Sequence, residues 1–157
     1  MKHGPGDWAI YNGGALRIER AANVSVRNCA FEALGGNGIF LYDLVSNTSL
    51  VENEFASLGD SAIAACGWID LLGNPTDATH GRFPSDNLVA SNHIHDVGIV
   101  GKQVAAYHQS LACHNAVRGN VMYHGPRAAI NFSDGMGGGD VVADNLVFGW
   151  VRETNDH

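Results

Sequence analysis

Hydrophobic positions recur along this chain with one spacing. Reading back from Phe31, Phe55, Ile94, Met122 and Val147, an aliphatic residue stands five places earlier each time, at Val26, Leu50, Val89, Val117 and Val142. Two places earlier stand Cys29, Asn53, Asn92, Asn120 and Asn145, and eight places later come Ile39, Ile63 and Ile130. The anchors lie 24, 39, 28 and 25 residues apart, a basic period of about 24 with an insertion in the second interval.

Within each period the apolar runs are short and β-rich (VSV, TSLV, NLVA, AINF, DVVA), and Gly, Asn and Asp separate them. No unit carries the i, i+3, i+4, i+7 spacing of an amphipathic helix. Short strands punctuated by turn residues predict a stacked coil of strands, each pairing in parallel with its copy about 4.8 Å above. The expected fold is therefore all-β: a right-handed parallel β-helix of five to six rungs, one domain over residues 1–157. In it Val26, Leu50, Val89, Val117 and Val142 form one internal column, and Phe31, Phe55, Ile94, Met122 and Val147 form another. The Asn column lies between them, at a bend where Asn tolerates left-handed geometry, with its amides hydrogen-bonded from rung to rung.

Both ends lack the polar unit that closes such a stack. Eight places after Val147 stands Asn155, where earlier rungs carry Ile. The expectation is a piece of a longer β-helix, cut at both ends; the rival is an oligomer that caps itself end to end. Residues 66–86, rich in Gly, Pro, Asp and Thr, read as a side loop leaving the second rung. Its Trp68 and Phe83 either wall a sugar-binding groove or pack the loop onto the flank.

Composition narrows the partners. A net charge of −7 without a basic cluster disfavours nucleic acid and anionic membranes, and no apolar run resembles a membrane span or a signal peptide. Cys29, Cys66 and Cys113 have no CxxC spacing and build no metal cluster; Cys29 reads as a small core residue.

Candidate chemistry comes from aligning the outward positions. If the Ile column points in, Phe40, Ala64, Asn131 and Asp156 point out, and an insertion of two places Val104 in the column with Ala105 beside it. Four places past the column come Asp43, Gly67, His108 and Asp134; five past the anchors stand Asp60, Arg127 and Arg152. Lys102, His108, Arg127, Asn131, Asp134, Arg152, Glu153 and Asp156 thus fall on one side of rungs three to five. Carboxyls, a His and Arg on one face suit sugar chemistry: Asp134, Glu153, Asp156 and His108 as the acid/base set, with Lys102, Arg127, Asn131, Arg152 and Trp68 binding substrate. Two carboxyls about 5–5.5 Å apart would retain configuration and about 6.5–9.5 Å apart would invert it. The alternative is a polysaccharide lyase in which Lys102 abstracts the proton α to a uronate beside Arg127. A third reading is a glycan-binding or scaffold β-helix, on which the same residues are a solvated face.

No cofactor is required by these readings. Calcium has candidate ligands in Asp134, Asp140 and Asp144, without diagnostic spacing. His93 and His95 flank inward Ile94 and face out together, with no third ligand evident in the sequence. The MGGGD run at 136–140 lacks the rest of a phosphate loop and reads as a wide turn. Asn23, Asn47 and Asn131 head Asn-x-Ser triplets.

The recurring Asn ahead of Phe or Ile, with GxxGI-type turns, resembles the pectate-lyase-like β-helix superfamily. More specifically GPGDWAIYNGGAL, the NCAF, NEF and GDSAIAA series, GPRAAINFSDGMGGGD and RETNDH are similar to a group of right-handed β-helix proteins of algae and microbes. That resemblance spans almost the whole chain and implies the fold more than an activity. In that group the last segment continues as an Asp-His-Gly-Pro-Phe-type stretch. A weaker similarity runs to β-helix glycoside hydrolases, whose Glu-Thr-Gly-Asp run is here Glu153-Thr154-Asn155-Asp156. It implies a polysaccharide or oligosaccharide partner and an extracellular or cell-surface setting for the full-length protein.

Overall fold

The structure, a computed structural model, describes residues 2, 3, 9–68, 81–133 and 137–152. Strands β1 (Lys2–His3) and β2 (Ala9–Ile10) form a short antiparallel pair. The rest is a parallel β-solenoid of five coils. The first coil holds β3 (Leu16–Ala22), β4 (Ser25–Arg27) and β5 (Ala30–Glu32), and the second β6 (Ile39–Ser46), β7 (Ser49–Val51) and β8 (Glu54–Ala56). The third holds β9 (Ile63–Cys66), β10 (Pro84–Ser85), β11 (Leu88–Ala90) and β12 (His93–His95). The fourth holds β13 (Ala105–Ser110), β14 (Ala116–Arg118) and β15 (Val121–Tyr123), and the fifth β16 (Ala128–Phe132), β17 (Val141–Ala143) and β18 (Leu146–Phe148). Equivalent strands of successive coils stack into three parallel sheets, with β10 continuing β9's course against β6. Among the described residues there is no helix, and so none long and apolar enough to cross a membrane.

The register matches the repeat. Val26, Leu50, Val89, Val117 and Val142 pair in sequence down the second sheet, and Phe31, Phe55, Ile94, Met122 and Val147 down the third. In the middle coils these side chains are buried, and Phe31 stacks on Phe55 with centroids 4.9 Å apart. In the fifth coil Val142 and Val147 are about half exposed, at 50% and 45%, because no described coil lies above them.

Left-handed backbone recurs from coil to coil in three columns: Asn23, Asn47, Asp86, His114 and Gly139; Asn28, Glu52, Ser91, Gly119 and Asp144; Ala33, Ser57, Asp96, His124 and Gly149. These are the corners between sheets. The ladder asparagines themselves do not adopt it; the residue before each one does. The sequence expectation that Asn is there for its tolerance of positive φ is therefore corrected: Asn is there for its side chain. Asn53 and Asn92 each donate their backbone N–H and side-chain NH2 to the next amide oxygen, at 2.9–3.1 Å. Asn120 does the same to Asn145 at 3.0 and 2.9 Å. The second amide hydrogen of each goes to a main-chain carbonyl one coil away, Val26, Leu50, Val89 or Val117 in turn. Every polar atom of these buried amides is paired, which is the condition for burying them without penalty.

A second ladder, not foreseen, runs along the first corner. Thr48 and Asn87 donate their backbone N–H groups to Asn87 and Asn115 at 3.0 Å, and Asn115 donates to Asp140 Oδ1 at 2.8 Å. Its members stand two places before Leu50, Val89, Val117 and Val142, the same offset the first ladder keeps to its own column.

Three other expectations change. Tyr107, not Val104, takes the Ile-column place in the fourth coil, pairing with Ile63 and Ile130, because the turn before β13 is longer than an insertion of two allows. That register puts His108 opposite Ala64 and Asn131, rather than four places past the column. The flanking column is also not solvent-facing in the middle coils: Phe40, Ala64 and His108 are 1%, 2% and 1% exposed. Finally, Cys29 is exposed rather than core, since it ends the ladder in the first coil; none of the three cysteines is in a disulfide.

Candidate functional site

The side loop is fastened at its base. Trp68 N–H donates to the Arg82 carbonyl at 2.8 Å, and the Arg82 guanidinium lies 4.0 Å from the Trp68 ring centroid. Arg82 in turn pairs through two nitrogens with Asp43, whose carboxylate is fully buried and also receives Arg20 at 2.8 Å. Asp43 and Arg20 sit at a β-bulge between β3 and β6, both with positive φ, which turns their side chains toward one another. The hydrogen bonds from Arg82 hold the Asp43 carboxyl down at about 2. One face of Trp68 is thus covered by a cation; residues 69–80 lie outside the described residues.

The corner between the third and first sheets carries most of the expected cations. Lys102 and Arg152, two coils apart in sequence, line one depression of about 150 Å³ with Asp96, His124, Gly125 and Pro126. Arg127, beside it, contacts the Gln103 amide oxygen. His124 Nδ1 lies 3.4 Å from Asp96 Oδ1. One coil earlier on the same corner stands Asp60, its carboxyl pushed up by burial although it accepts the Ser61 N–H at 3.1 Å. Asp60 entered the sequence argument only as a position in an alignment. Its burial, which residue spacing does not report, is what makes it chemically distinctive.

His108 and Asn131 are brought together: Asn131 Nδ2 donates to His108 Nδ1 at 3.0 Å, which leaves the imidazole proton on Nε2. Near them, Gln109, Phe132, Gly137, Gly138, Gly139 and Asp140 line a larger hollow of about 440 Å³. Asp140 Oδ2 accepts Gln109 Nε2 at 3.1 Å and its Oδ1 serves the second ladder, so both oxygens are engaged. Asp134, Glu153 and Asp156, three of the four expected catalytic residues, lie outside the described residues. The described members divide among three places: Lys102, Arg127 and Arg152 at the corner depression, His108 with Asn131 on the first sheet, and Trp68 at the base of the side loop.

The outer face of the third sheet holds a set the sequence left incomplete. Glu54 on β8 stands directly opposite His93 on β12, and with His95 the three present ligand atoms within 4.8 Å of one another. Glu54 is thus a candidate third ligand for the His pair, which sequence spacing hides because it lies a whole coil and the side-loop insertion away. No protein-family model, curated protein or solved structure matches this chain.

Proposed function

We propose that this chain is a carbohydrate-active β-solenoid that takes an acidic polysaccharide at the corner depression. The observation that carries the reading is the convergence of Lys102 and Arg152, with His124, on one concavity of a rigid stacked scaffold. Two cations in one depression recognise carboxylate or sulfate better than neutral sugar, and Arg adds paired hydrogen bonds to such groups. In a chain of net charge −7, two cations against the single carboxylate of Asp96 reverse the sign locally, which supports an anion there.

Of the two reactions weighed from the sequence, the described side chains favour β-elimination. Arg152 would bind the uronate carboxylate and withdraw charge from it. Lys102, once it has released its own proton to solvent, would accept the proton on the carbon α to that carboxylate. The electron pair becomes the new carbon–carbon double bond as the bond to the leaving glycosidic oxygen breaks, and His124 or water supplies that oxygen with a proton. Hydrolysis by Asp134, Glu153 and Asp156 is the competing reading. We also read the coil as right-handed and pectate-lyase-like, given the strong preference of parallel crossovers for that hand.

Incubation with polygalacturonate, alginate and a neutral glucan separates these readings. The expected result is ultraviolet absorbance from unsaturated uronate together with new reducing ends on an acidic polymer, lost in Lys102→Ala and Arg152→Ala. Reducing ends without absorbance would replace elimination with hydrolysis. Failure to bind or cleave any acidic polymer would overturn the reading.

A further inference from the structure

The outer face of the third sheet carries an independent cluster. His93 and His95 flank Ile94, which is fully buried, so strand alternation sends both imidazoles outward on one side. Glu54 projects from the adjacent strand in direct register with His93. Its Oε1 lies 3.7 Å from His93 Nδ1 and 3.7 Å from His95 Nε2, while the two rings sit 4.8 Å apart between centroids. Ligand atoms around a tetrahedral zinc ion are about 3.3 Å apart, given bond lengths near 2.0–2.2 Å. The three groups are therefore a few tenths of an ångström to about an ångström and a half outside coordination distance, within the reach of small side-chain rotations.

The surroundings orient the ligands. His95 Nδ1 is 2.8 Å from Asp96 Oδ2, so its Nδ1–H donates to that carboxylate and the Nε2 lone pair is turned toward Glu54. In the neutral ring Nε2 faces the Glu54 carboxylate oxygen across 3.7 Å, the two sides between which a metal ion would sit. A carboxylate behind a ligating imidazole is the usual second layer of a metal site, fixing the tautomer and raising ligand basicity. The ring is also held in plane by Tyr123, stacked on His95 at 5.0 Å and 5°, and Tyr123 is backed by Phe148 at 4.9 Å and 7°. The side chains of Glu54 and His93 are 56% and 46% exposed and that of His95 is 18% exposed, so a fourth position is open to solvent.

We infer that Glu54, His93 and His95 form a binding site for a borderline divalent transition-metal ion of the zinc class, with the fourth position left for water or an exogenous ligand. Two imidazoles and one carboxylate select such ions over calcium and magnesium, which prefer all-oxygen shells. The inference is separate from the polysaccharide reading, because zinc alone is the probe and none of its three ligands lines the corner depression.

The test is calorimetric titration of the whole chain with zinc chloride, alongside the visible spectrum of the cobalt(II) form. One ion per chain is expected, with intense cobalt bands of low-symmetry four-coordination. His93→Ala, His95→Ala and Glu54→Gln should each weaken zinc binding by tenfold or more, and Asp96→Asn by about tenfold to a hundredfold through loss of the second layer. All these residues are at least partly exposed, and circular dichroism of each variant checks that the solenoid persists. Absence of binding, or binding undiminished in folded His93→Ala and His95→Ala, would overturn the assignment. Zinc bound with octahedral cobalt spectra and no Glu54 dependence would do so too.

Discussion

Asn92 places its backbone N–H and its side-chain NH2 on the single amide oxygen of Asn120, each at 2.9 Å, across 28 residues of sequence. Asn120 repeats the gesture toward Asn145 and returns its other amide hydrogen to Val89. Replacing Asn120 by Ala leaves the Asn92 donors and the Val89 carbonyl without partners in a region from which water is excluded. The expected cost is about 2–4 kcal/mol, read as a drop in the denaturant midpoint with little change in slope. Asn120→Asp should be no milder, since it keeps the acceptors but loses both donors and buries a charge. A loss no larger than that of a surface substitution would show that the ladder only accompanies the stack.

The Asp43 carboxylate gives the protein an acid-sensitive joint. Its folded value of about 2 lies below the ordinary 3.8, so its contribution to stability is complete above pH 4 and disappears as pH falls toward 2. The size of that contribution is about 2 kcal/mol. Asp43→Asn should therefore lower stability at neutral pH and flatten its dependence between pH 4 and 2. Urea unfolding across that range checks both. Parallel curves for the two proteins would show that other carboxyls set the acid limit.

Gly125 is required by size rather than by backbone conformation. In its corner column the neighbouring coils carry Leu58, Val97 and Trp150, and the Trp150 ring occupies the space a Cβ at 125 would take. Trp150 packs on the core there and donates its indole N–H to the Met122 carbonyl at 3.1 Å. Gly125→Ala should displace the ring, shifting tryptophan emission toward the red and costing about 1–3 kcal/mol. Combining it with Trp150→Leu should cost less than the sum of the separate changes, because the clash and the lost packing share one space.

Binding at the corner depression should be electrostatic. Affinity for an acidic oligosaccharide is expected to fall as salt rises through the physiological range, and Arg152→Ala should reduce both the affinity and the salt dependence. Arg152→Lys should recover only part of it, since a point charge cannot reproduce the planar fork. Binding insensitive to salt would place the sugar elsewhere.

The fold was legible wherever apolar side chains, or the asparagine amide, kept one place from coil to coil. Both second- and third-sheet columns and the Asn ladder could be read directly, because parallel stacking demands like on like at a fixed interval. The reading slipped where chemistry substitutes across types. Tyr107 stands in a column of isoleucines, and the second ladder mixes Thr48, Asn87, Asn115 and Asp140, which share an acceptor oxygen and no single letter. Burial of Phe40, Ala64 and His108 was invisible because strand alternation says which face a residue takes and not what covers it. Glu54 escaped because proximity to His93 depends on counting around a coil of irregular length. Of the candidate residues, Lys102, Arg127 and Arg152 come to one corner and His108 lies against Asn131, whereas the expected carboxylates at 134, 153 and 156 lie outside the described residues.

The parallel register has a consequence for how the molecule loses structure. In all three stacked sheets, strand pairing and the amide ladders join a coil to the coils directly above and below it. Stability is then a nearest-neighbour property, additive along one axis, as in a zipper. Amide protons should exchange slowest in the second to fourth coils and progressively faster toward the fifth, where Val142 and Val147 already meet solvent. Pulled along its axis, such a molecule would come apart coil by coil, each release about two dozen residues long.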